Sequence, residues 1–255
     1  MLTAIIEILI LSLVQGVSEF IPISSSAQLI IVSALYDFKS SSLLIDVSLH
    51  FGSLLAIIFF FREELIDLKN NQKFLLLMIL GSIPLIAVGY ILYKTELIYE
   101  LRDIKVIAWT TLIFGIILYF ADKNRLDRKI SSNLNLKVIL YIGLFQILAL
   151  IPGVSRSGIT ITAARIFRFN RFDSSKISFL LAIPALAGAS VLGLKDIIDQ
   201  SFEINYLVFI SITLSFLFSY LTIKFFLQYV NKFSLNIFVM YRIILAIILF
   251  IIIYN

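Results

Sequence analysis

Cysteine is absent from the 255 residues, and histidine and tryptophan occur once each. The absence of cysteine excludes disulfide bonds, thiolate catalysis and cysteine-ligated metals. Charge is also scarce, because Asp, Glu, Lys and Arg make up 15% of the residues whereas 60% are hydrophobic. A soluble domain of this length could not bury so much apolar surface, so part of the surface must face lipid. The net charge of +5 is spread over short loops rather than one basic domain, and we expect no nucleic-acid partner.

Long apolar stretches dominate the chain. A helix needs about 20 apolar residues to cross about 30 Å of hydrocarbon. Six stretches reach or approach that length, at 43–61, 74–93, 105–120, 177–194, 206–227 and 236–254. The sequence therefore predicts an all-α, polytopic membrane protein with about six transmembrane helices in one membrane domain, residues 1–255. No Lys or Arg precedes the first apolar segment, so we expect that segment to stay in the mature protein.

Two shorter apolar segments, 2–14 and 138–151, run into polar stretches that contain proline. The apolar runs that follow are too short to reach the opposite membrane face, so we predict two re-entrant helical hairpins. Hydrocarbon cannot satisfy the backbone polar groups of an irregular hairpin tip. Both tips should therefore line a cavity.

The two predicted hairpins resemble each other. Leu-Val-Gln at 13–15 leads to three serines at 24–26, and Leu-Phe-Gln at 144–146 leads to Ser-Arg-Ser at 155–157. This similarity predicts an internal repeat.

The repeats would span approximately 1–120 and 121–255. Threading six helices and two hairpins places fourteen Lys and Arg residues in loops on one side and five on the other. The richer side is predicted to be cytoplasmic. The first hairpin then enters from outside and the second from inside, an inverted-topology repeat that is typical of sites near the bilayer midplane.

Polar side chains cluster at the first predicted tip. Gln15 and Glu19 are four residues apart and share one face of a helix. Ser24, Ser25 and Ser26 follow. Hydroxyls and carboxylates at membrane depth indicate a binding site.

The second predicted tip carries a guanidinium. Gly153 and Gly158 bracket Ser155, Arg156 and Ser157. Glycine permits close approach of the backbone, and a guanidinium binds phosphate through two parallel hydrogen bonds. Together the tips predict an anion site.

Structural interpretations of these residues stay open. Serine and glycine also pack membrane helices together. Arg156 could snorkel to the interface, or pair with Glu19 as a structural lock. His50 opens an apolar helix, where packing or hydrogen bonding is the more common role, and Arg242 inside the last apolar run could snorkel or pair internally.

The stretch QGVSEFIPISSSA at 15–27 resembles the first signature of the undecaprenyl-diphosphatase (bacitracin-resistance) family, and PGVSRSG at 152–158 resembles its second. The similarity continues at 50–56, 179–184 and 241–243. It implies paired re-entrant hairpins in the bacterial inner membrane and an active site that opens toward the periplasmic or outer side. The implied reaction is hydrolysis of undecaprenyl diphosphate to undecaprenyl phosphate and phosphate. That reaction recycles the lipid carrier of peptidoglycan synthesis and confers bacitracin resistance.

The resemblance also implies roles for individual residues. Glu19, Ser25 and Arg156 would be catalytic, with Ser25 as the catalytic serine and Arg156 on the phosphate. The residues expected to bind substrate are Gln15, Ser24, Ser26, Gln28, Ser155, Ser157 and Thr160. A divalent cation, Mg2+ or Ca2+, is implied as cofactor with Glu19 as its ligand. A homodimer is left open.

One position departs from the family. Shortly after the serines the family usually has histidine, and this chain has Gln28. Glutamine cannot shuttle a proton. Glu19 could act as base with a metal-bound water, a metal alone could activate water, or His50 could reach the site. We favour Glu19 with a metal, because Glu19 lies in the same hairpin and His50 belongs to a different motif.

Two other functions remain as alternatives. Inverted repeats with broken helices are typical of transporters, and Gln28 could mark lost hydrolysis, so a polyprenyl-phosphate transporter or flippase is the first. A noncatalytic scaffold that binds anionic lipids is the second. Release of phosphate by the purified protein separates both from a phosphatase.

Overall fold

The computed structural model describes residues 2–36, 42–95, 97, 101, 103–123, 128–199 and 206–254. Within these ranges the regular structure is helical, apart from one isolated bridge between Arg128 and Phe169. The helices are α1 (Leu2–Ser18), α2 (Ser25–Tyr36), α3 (Leu43–Phe60), α4 (Arg62–Ile66), α5 (Leu68–Lys94), α6 (Ile104–Asp122), α7 (Ile130–Asn133), α8 (Leu136–Ile147), α9 (Arg156–Ile166), α10 (Arg171–Asp199), α11 (Tyr206–Lys232) and α12 (Asn236–Tyr254). A short 3-10 helix, Leu148–Leu150, extends α8.

Six of these helices are long and apolar enough to cross a membrane: α3, α5, α6, α10, α11 and α12. The prediction of an all-α polytopic membrane protein is thus confirmed. Several helices extend beyond the predicted apolar stretches, as α11 does by continuing to Lys232. The backbone hydrogen-bond ladder continues past the last apolar residue, because polar side chains are compatible with helix geometry.

The shorter apolar helices form two hairpins. α1 packs against α2, and α8 packs against α9. The turns between them are residues 19–24, here called the first tip, and residues 151–155, called the second tip. Each tip ends on a serine with positive φ, 75° at Ser24 and 73° at Ser155. The sequence similarity between the hairpins therefore coincides with a shared turn conformation, while their opposite orientation in a membrane stays a prediction.

Both tips are enclosed by protein. Phe20 in the first tip and Val154 in the second are fully buried. The ring of Phe20 contacts Phe179 of α10 edge-on, with centroids 5.3 Å apart. α1 also packs against α3 and α11, and α9 against α6 and α10. Irregular backbone at membrane depth requires such cover, because lipid offers it no hydrogen bonds.

One buried charge cluster joins several helices at a single end of the molecule. The carboxylate of Asp122, the last residue of α6, lies 3.0 Å from Arg165 Nη2 and 2.9 Å from Arg171 Nε. It also accepts a hydrogen bond of 3.1 Å from Leu235 N in the turn between α11 and α12. The ends of α6 and α9 and the start of α10 thus meet at the side predicted to be cytoplasmic. That sidedness stays a prediction, and three residues of its charge count lie outside the described residues: Lys39, Arg102 and Arg125.

Candidate active site

Glu19 is the residue on which the two tips converge. It follows the end of α1, and its side chain is 4% exposed. Its Oε1 accepts hydrogen bonds from Arg156 Nη2 at 2.9 Å and Nε at 3.3 Å. Its Oε2 accepts from Ser25 Oγ at 2.7 Å and from Gln15 Nε2 at 3.0 Å. One buried carboxylate therefore connects residues of both hairpins.

Arg156 is the first residue of α9, and its guanidinium is hydrogen-bonded to protein groups. Besides the Glu19 carboxylate, its Nη2 donates to the Glu19 carbonyl at 3.3 Å and its Nη1 to the Ser178 carbonyl at 3.1 Å. The side chain is 11% exposed. The ion pair considered from the sequence is thus present.

Ser25 is half-buried at the start of α2, and Ser26 beside it is exposed. The 2.7 Å contact between Ser25 Oγ and Glu19 Oε2 is the distance required between a nucleophile and its base. Ser24 is buried, with its Oγ 3.4 Å from that of Ser26. Of the predicted serines, Ser25 is therefore the one whose hydroxyl contacts the Glu19 carboxylate.

The predicted hydroxyls of the second hairpin are buried and bonded within the protein. Ser155 Oγ lies 3.2 Å from Ser157 Oγ and caps α9 by accepting from Gly158 N at 3.1 Å. Ser157 Oγ donates to the carbonyl of Ile21 in the first tip at 2.8 Å. Thr160 Oγ1 donates to the Arg156 carbonyl at 2.8 Å. These hydroxyls hold the second tip in shape and against the first.

His50 contacts the site from α3, although Glu19 was the residue expected to act as base. Its Nδ1 lies 2.9 Å from Gln15 Nε2 and 3.8 Å from Glu19 Oε2. With the ring proton on Nε2, the Gln15 amide donates one N–H to His50 and the other to Glu19. The ring is 31% exposed and therefore accessible. The similarity of residues 50–56 to the family was the sequence feature that could have indicated His50 as a site residue.

Gln28 points to a different partner. Its Oε1 accepts a hydrogen bond of 2.9 Å from the hydroxyl of Tyr241 on α12. Among the hydrogen bonds of the described residues, none joins Gln28 to Glu19 or Ser25. The structure thus brings Gln15, Glu19, Ser25, Arg156 and His50 together, and leaves Gln28 in a separate pair.

A family model described as bacitracin resistance protein BacA matches residues 8–248. The chain belongs to this family. It is 73% identical over 256 residues to the undecaprenyl-diphosphatase of Pelagibacter ubique, with 100% of both chains covered. It is 41% identical to the undecaprenyl-diphosphatase of Elusimicrobium minutum, covering 96% of this chain and 97% of that one. For the undecaprenyl-diphosphatase of Alteromonas mediterranea the identity is 37%, with 95% and 96% covered. The family predicted from the two signatures is confirmed.

The expected divalent cation would need oxygen ligands from the residues of this BacA-family site. Among the described residues, no group of three or more His, Asp or Glu side chains could hold a metal ion. Gln15 Oε1, however, is buried and has no hydrogen-bond partner, and it belongs to a side chain that contacts Glu19. Carboxylate and amide oxygens suit Mg2+ and Ca2+, and Mg2+ is usually bound by one or two carboxylates together with substrate phosphates. Glu19 and Gln15 could thus supply at most two protein ligands, and substrate phosphates would have to supply the others.

Proposed function

We propose that this protein is a membrane undecaprenyl-diphosphatase that hydrolyses undecaprenyl diphosphate to undecaprenyl phosphate and phosphate. The main support for this proposal is that Ser25 of the first hairpin and Arg156 of the second both contact Glu19. Full-length relatives with that name support the substrate assignment. A nucleophile, a base and a guanidinium are the groups that transfer of a phosphoryl group needs.

In the proposed reaction Ser25 Oγ attacks the terminal phosphorus. Glu19 Oε2, 2.7 Å away, takes the hydroxyl proton as the new oxygen–phosphorus bond forms. The phosphoanhydride bond breaks, and undecaprenyl phosphate leaves with the bridging oxygen. Water then attacks the phosphoserine and the Oγ–phosphorus bond breaks. Ser25 Oγ takes back the proton held by Glu19, one proton of the water stays on the released phosphate, and the other passes to solvent, so that Glu19 is again a carboxylate.

Arg156 supplies the charge that this transfer needs. In the structure its guanidinium is paired with the Glu19 carboxylate. Protonation of Glu19 during the attack removes that negative charge, so the attraction between the two side chains weakens. The guanidinium then becomes available to the equatorial oxygens of the transferred phosphoryl group. Proton transfer and stabilisation of the phosphoryl group are coupled through one ion pair.

The N-termini of two helices favour the same anion. Ser25 begins α2 and Arg156 begins α9. Free backbone N–H groups and the helix dipole attract negative charge at such ends. Their convergence at Glu19 supports binding of the diphosphate between the tips.

A divalent cation, held by Glu19 and Gln15 Oε1 with diphosphate oxygens, would neutralise negative charge on the substrate. We assign a divalent cation as the cofactor because carboxylate and amide oxygens are suitable ligands for Mg2+ and Ca2+. His50, whose Nδ1 contacts the Gln15 amide, orients Gln15 toward Glu19. The site draws all these groups from one chain, so a homodimer is not required for the reaction.

We further propose that the protein lies in the bacterial inner membrane with its active site toward the periplasmic or outer side. The excess of Lys and Arg in the loops at the opposite end supports this orientation. Hydrolysis there would return the lipid carrier to peptidoglycan synthesis. Removal of the diphosphate form would also confer resistance to bacitracin.

The decisive experiment measures phosphate released from undecaprenyl diphosphate by the purified protein in detergent, with and without a divalent cation. Ser25→Ala should abolish release, because it removes the nucleophile. Ser132→Ala is the matched control, since Ser132 is an exposed serine of α7 outside the predicted site, and its Oγ donates to Asn133 Oδ1 at 2.8 Å. A wild-type protein that releases no more phosphate than a heat-inactivated sample would refute the phosphatase, and would favour the transporter or scaffold instead.

A further inference from the structure

Arg242 is a fully buried charge in the second turn of α12, and it contacts both hairpin tips. Its Nη1 donates to the carbonyl of Pro22 in the first tip at 3.2 Å and to that of Val154 in the second tip at 3.1 Å. Its Nη2 donates to the carbonyl of Gly153 at 2.9 Å. A single guanidinium thus connects two turns that are about half the chain apart.

The remaining donors of Arg242 bind α6. Nε donates to the carbonyl of Thr111 at 3.2 Å, and Nη2 also donates to that of Thr110 at 3.4 Å. Thr110 Oγ1 in turn donates to the carbonyl of Pro152 in the second tip at 2.6 Å. All five N–H donors of an arginine therefore have a backbone carbonyl as acceptor. α6 and α12 together hold the second tip.

The surroundings of Arg242 suit a planar guanidinium better than the ammonium group of a lysine. No carboxylate pairs with it among the residues that the structure describes, so carbonyl dipoles alone compensate its charge. A Cβ added at Gly115 would lie 3.1 Å from Arg242 Cβ, and one at Gly158 would lie 3.2 Å from Arg242 Nη1. Lysine has three donors from one nitrogen and cannot reach five carbonyls arranged around a plane.

We propose that Arg242 is a positioning residue that sets the distance between the two tips. Pro22 lies between Glu19 and Ser25 along the chain, and Val154 lies two residues before Arg156. Fixing these carbonyls on one guanidinium fixes where Ser25 and Arg156 meet the Glu19 carboxylate. The catalytic consequence rests on the proposed phosphatase activity, whereas the structural link between the tips does not.

The test compares Arg242→Lys with Arg165→Lys in the full-length protein. Arg165 is the matched control, since it is another fully buried arginine but contacts Asp122 at the far end of α6. Hydrogen–deuterium exchange followed by mass spectrometry reports on peptides that cover 15–28 and 146–160. Turnover of undecaprenyl diphosphate gives kcat and KM. Emission of Trp109, which contacts Phe250 edge-on at 4.9 Å, reports whether α6 and α12 stay packed.

For Arg242→Lys we expect faster exchange in both tip peptides, unchanged Trp109 emission, and a fall in kcat of about tenfold to a hundredfold with a smaller change in KM. For Arg165→Lys we expect faster exchange near residues 119–122 and 165–171, with kcat per folded molecule preserved. Normal tip exchange in Arg242→Lys would overturn the proposal. Equal acceleration throughout the chain would also overturn it, because Arg242 would then support only the fold.

A milder variant keeps the proposal testable if Arg242→Lys does not fold. Gly115→Ala keeps the Arg242 charge but places a Cβ 3.1 Å from Arg242 Cβ, so the arginine must shift. It should accelerate exchange in both 15–28 and 146–160, and no acceleration in either peptide would contradict the link. If the wild-type protein releases no phosphate, the proposed function fails, yet the exchange measurements still decide whether Arg242 holds the tips.

Discussion

Replacement of Glu19 by glutamine perturbs the centre of the site. The carboxylate accepts four hydrogen bonds, two from Arg156 and one each from Ser25 and Gln15. Glutamine has one acceptor oxygen, so an NH2 group must face either Arg156 or the pair Ser25 and Gln15. It also cannot accept a proton. We expect kcat to fall by about 10²- to 10⁴-fold, the usual contribution of a general base.

The same change leaves Arg156 without its charge partner in a buried position. Removing one member of a buried ion pair costs about 3–5 kcal/mol of stability. The Ser178 and Glu19 carbonyls still accept from Arg156, so we expect a loss near the lower end, about 3 kcal/mol. Unfolding by denaturant in detergent measures the stability, and phosphate release from undecaprenyl diphosphate measures kcat.

A double variant separates these two effects. Glu19→Gln with Arg156→Met removes both charges, so part of the lost stability should return while kcat stays at least as low as in Glu19→Gln. Full activity of Glu19→Gln in the presence of a divalent cation would refute the assignment of Glu19 as base. His50, 3.8 Å from the Glu19 carboxylate, would then be the next side chain to replace.

Four further predictions concern Arg156, Gln28, the Asp122 cluster and the orientation in the membrane. Arg156→Lys keeps the charge but loses the planar fork, so phosphatase kcat should fall at least about tenfold, and near-normal kinetics would make the residue a structural anchor. Gln28→His should change the rate little, because Gln28 is paired with Tyr241, and a large gain would instead indicate a weakened enzyme that lacks its usual base. Asp122→Asn should lower the free energy of unfolding by about 3 kcal/mol with kcat of the folded protein retained, since it breaks a buried pair remote from Glu19. A cysteine introduced at position 130 should resist an impermeant reagent in intact cells, and strong labelling there would reverse the predicted orientation.

Much of the fold follows from local properties of the sequence. The six long helices follow from apolar length, because each span must satisfy the hydrocarbon thickness by itself. The tips follow from the interruption of apolar segments by proline and serine runs that cannot continue in lipid. Glu19, Ser25 and Arg156 stand in the two signatures, and the structure brings them into contact.

Only the tertiary structure decided which distant side chains join them. His50 reaches Gln15 from another helix, and Gln28 is drawn to Tyr241, although it lies in the same hairpin as Glu19. Arg242, open to several interpretations in the sequence, contacts both tips. Apolar periodicity sets which segments enter the membrane. The crossing and rotation of the helices decide whether a polar group meets a partner up to 220 residues away, and these depend on packing between all of them at once.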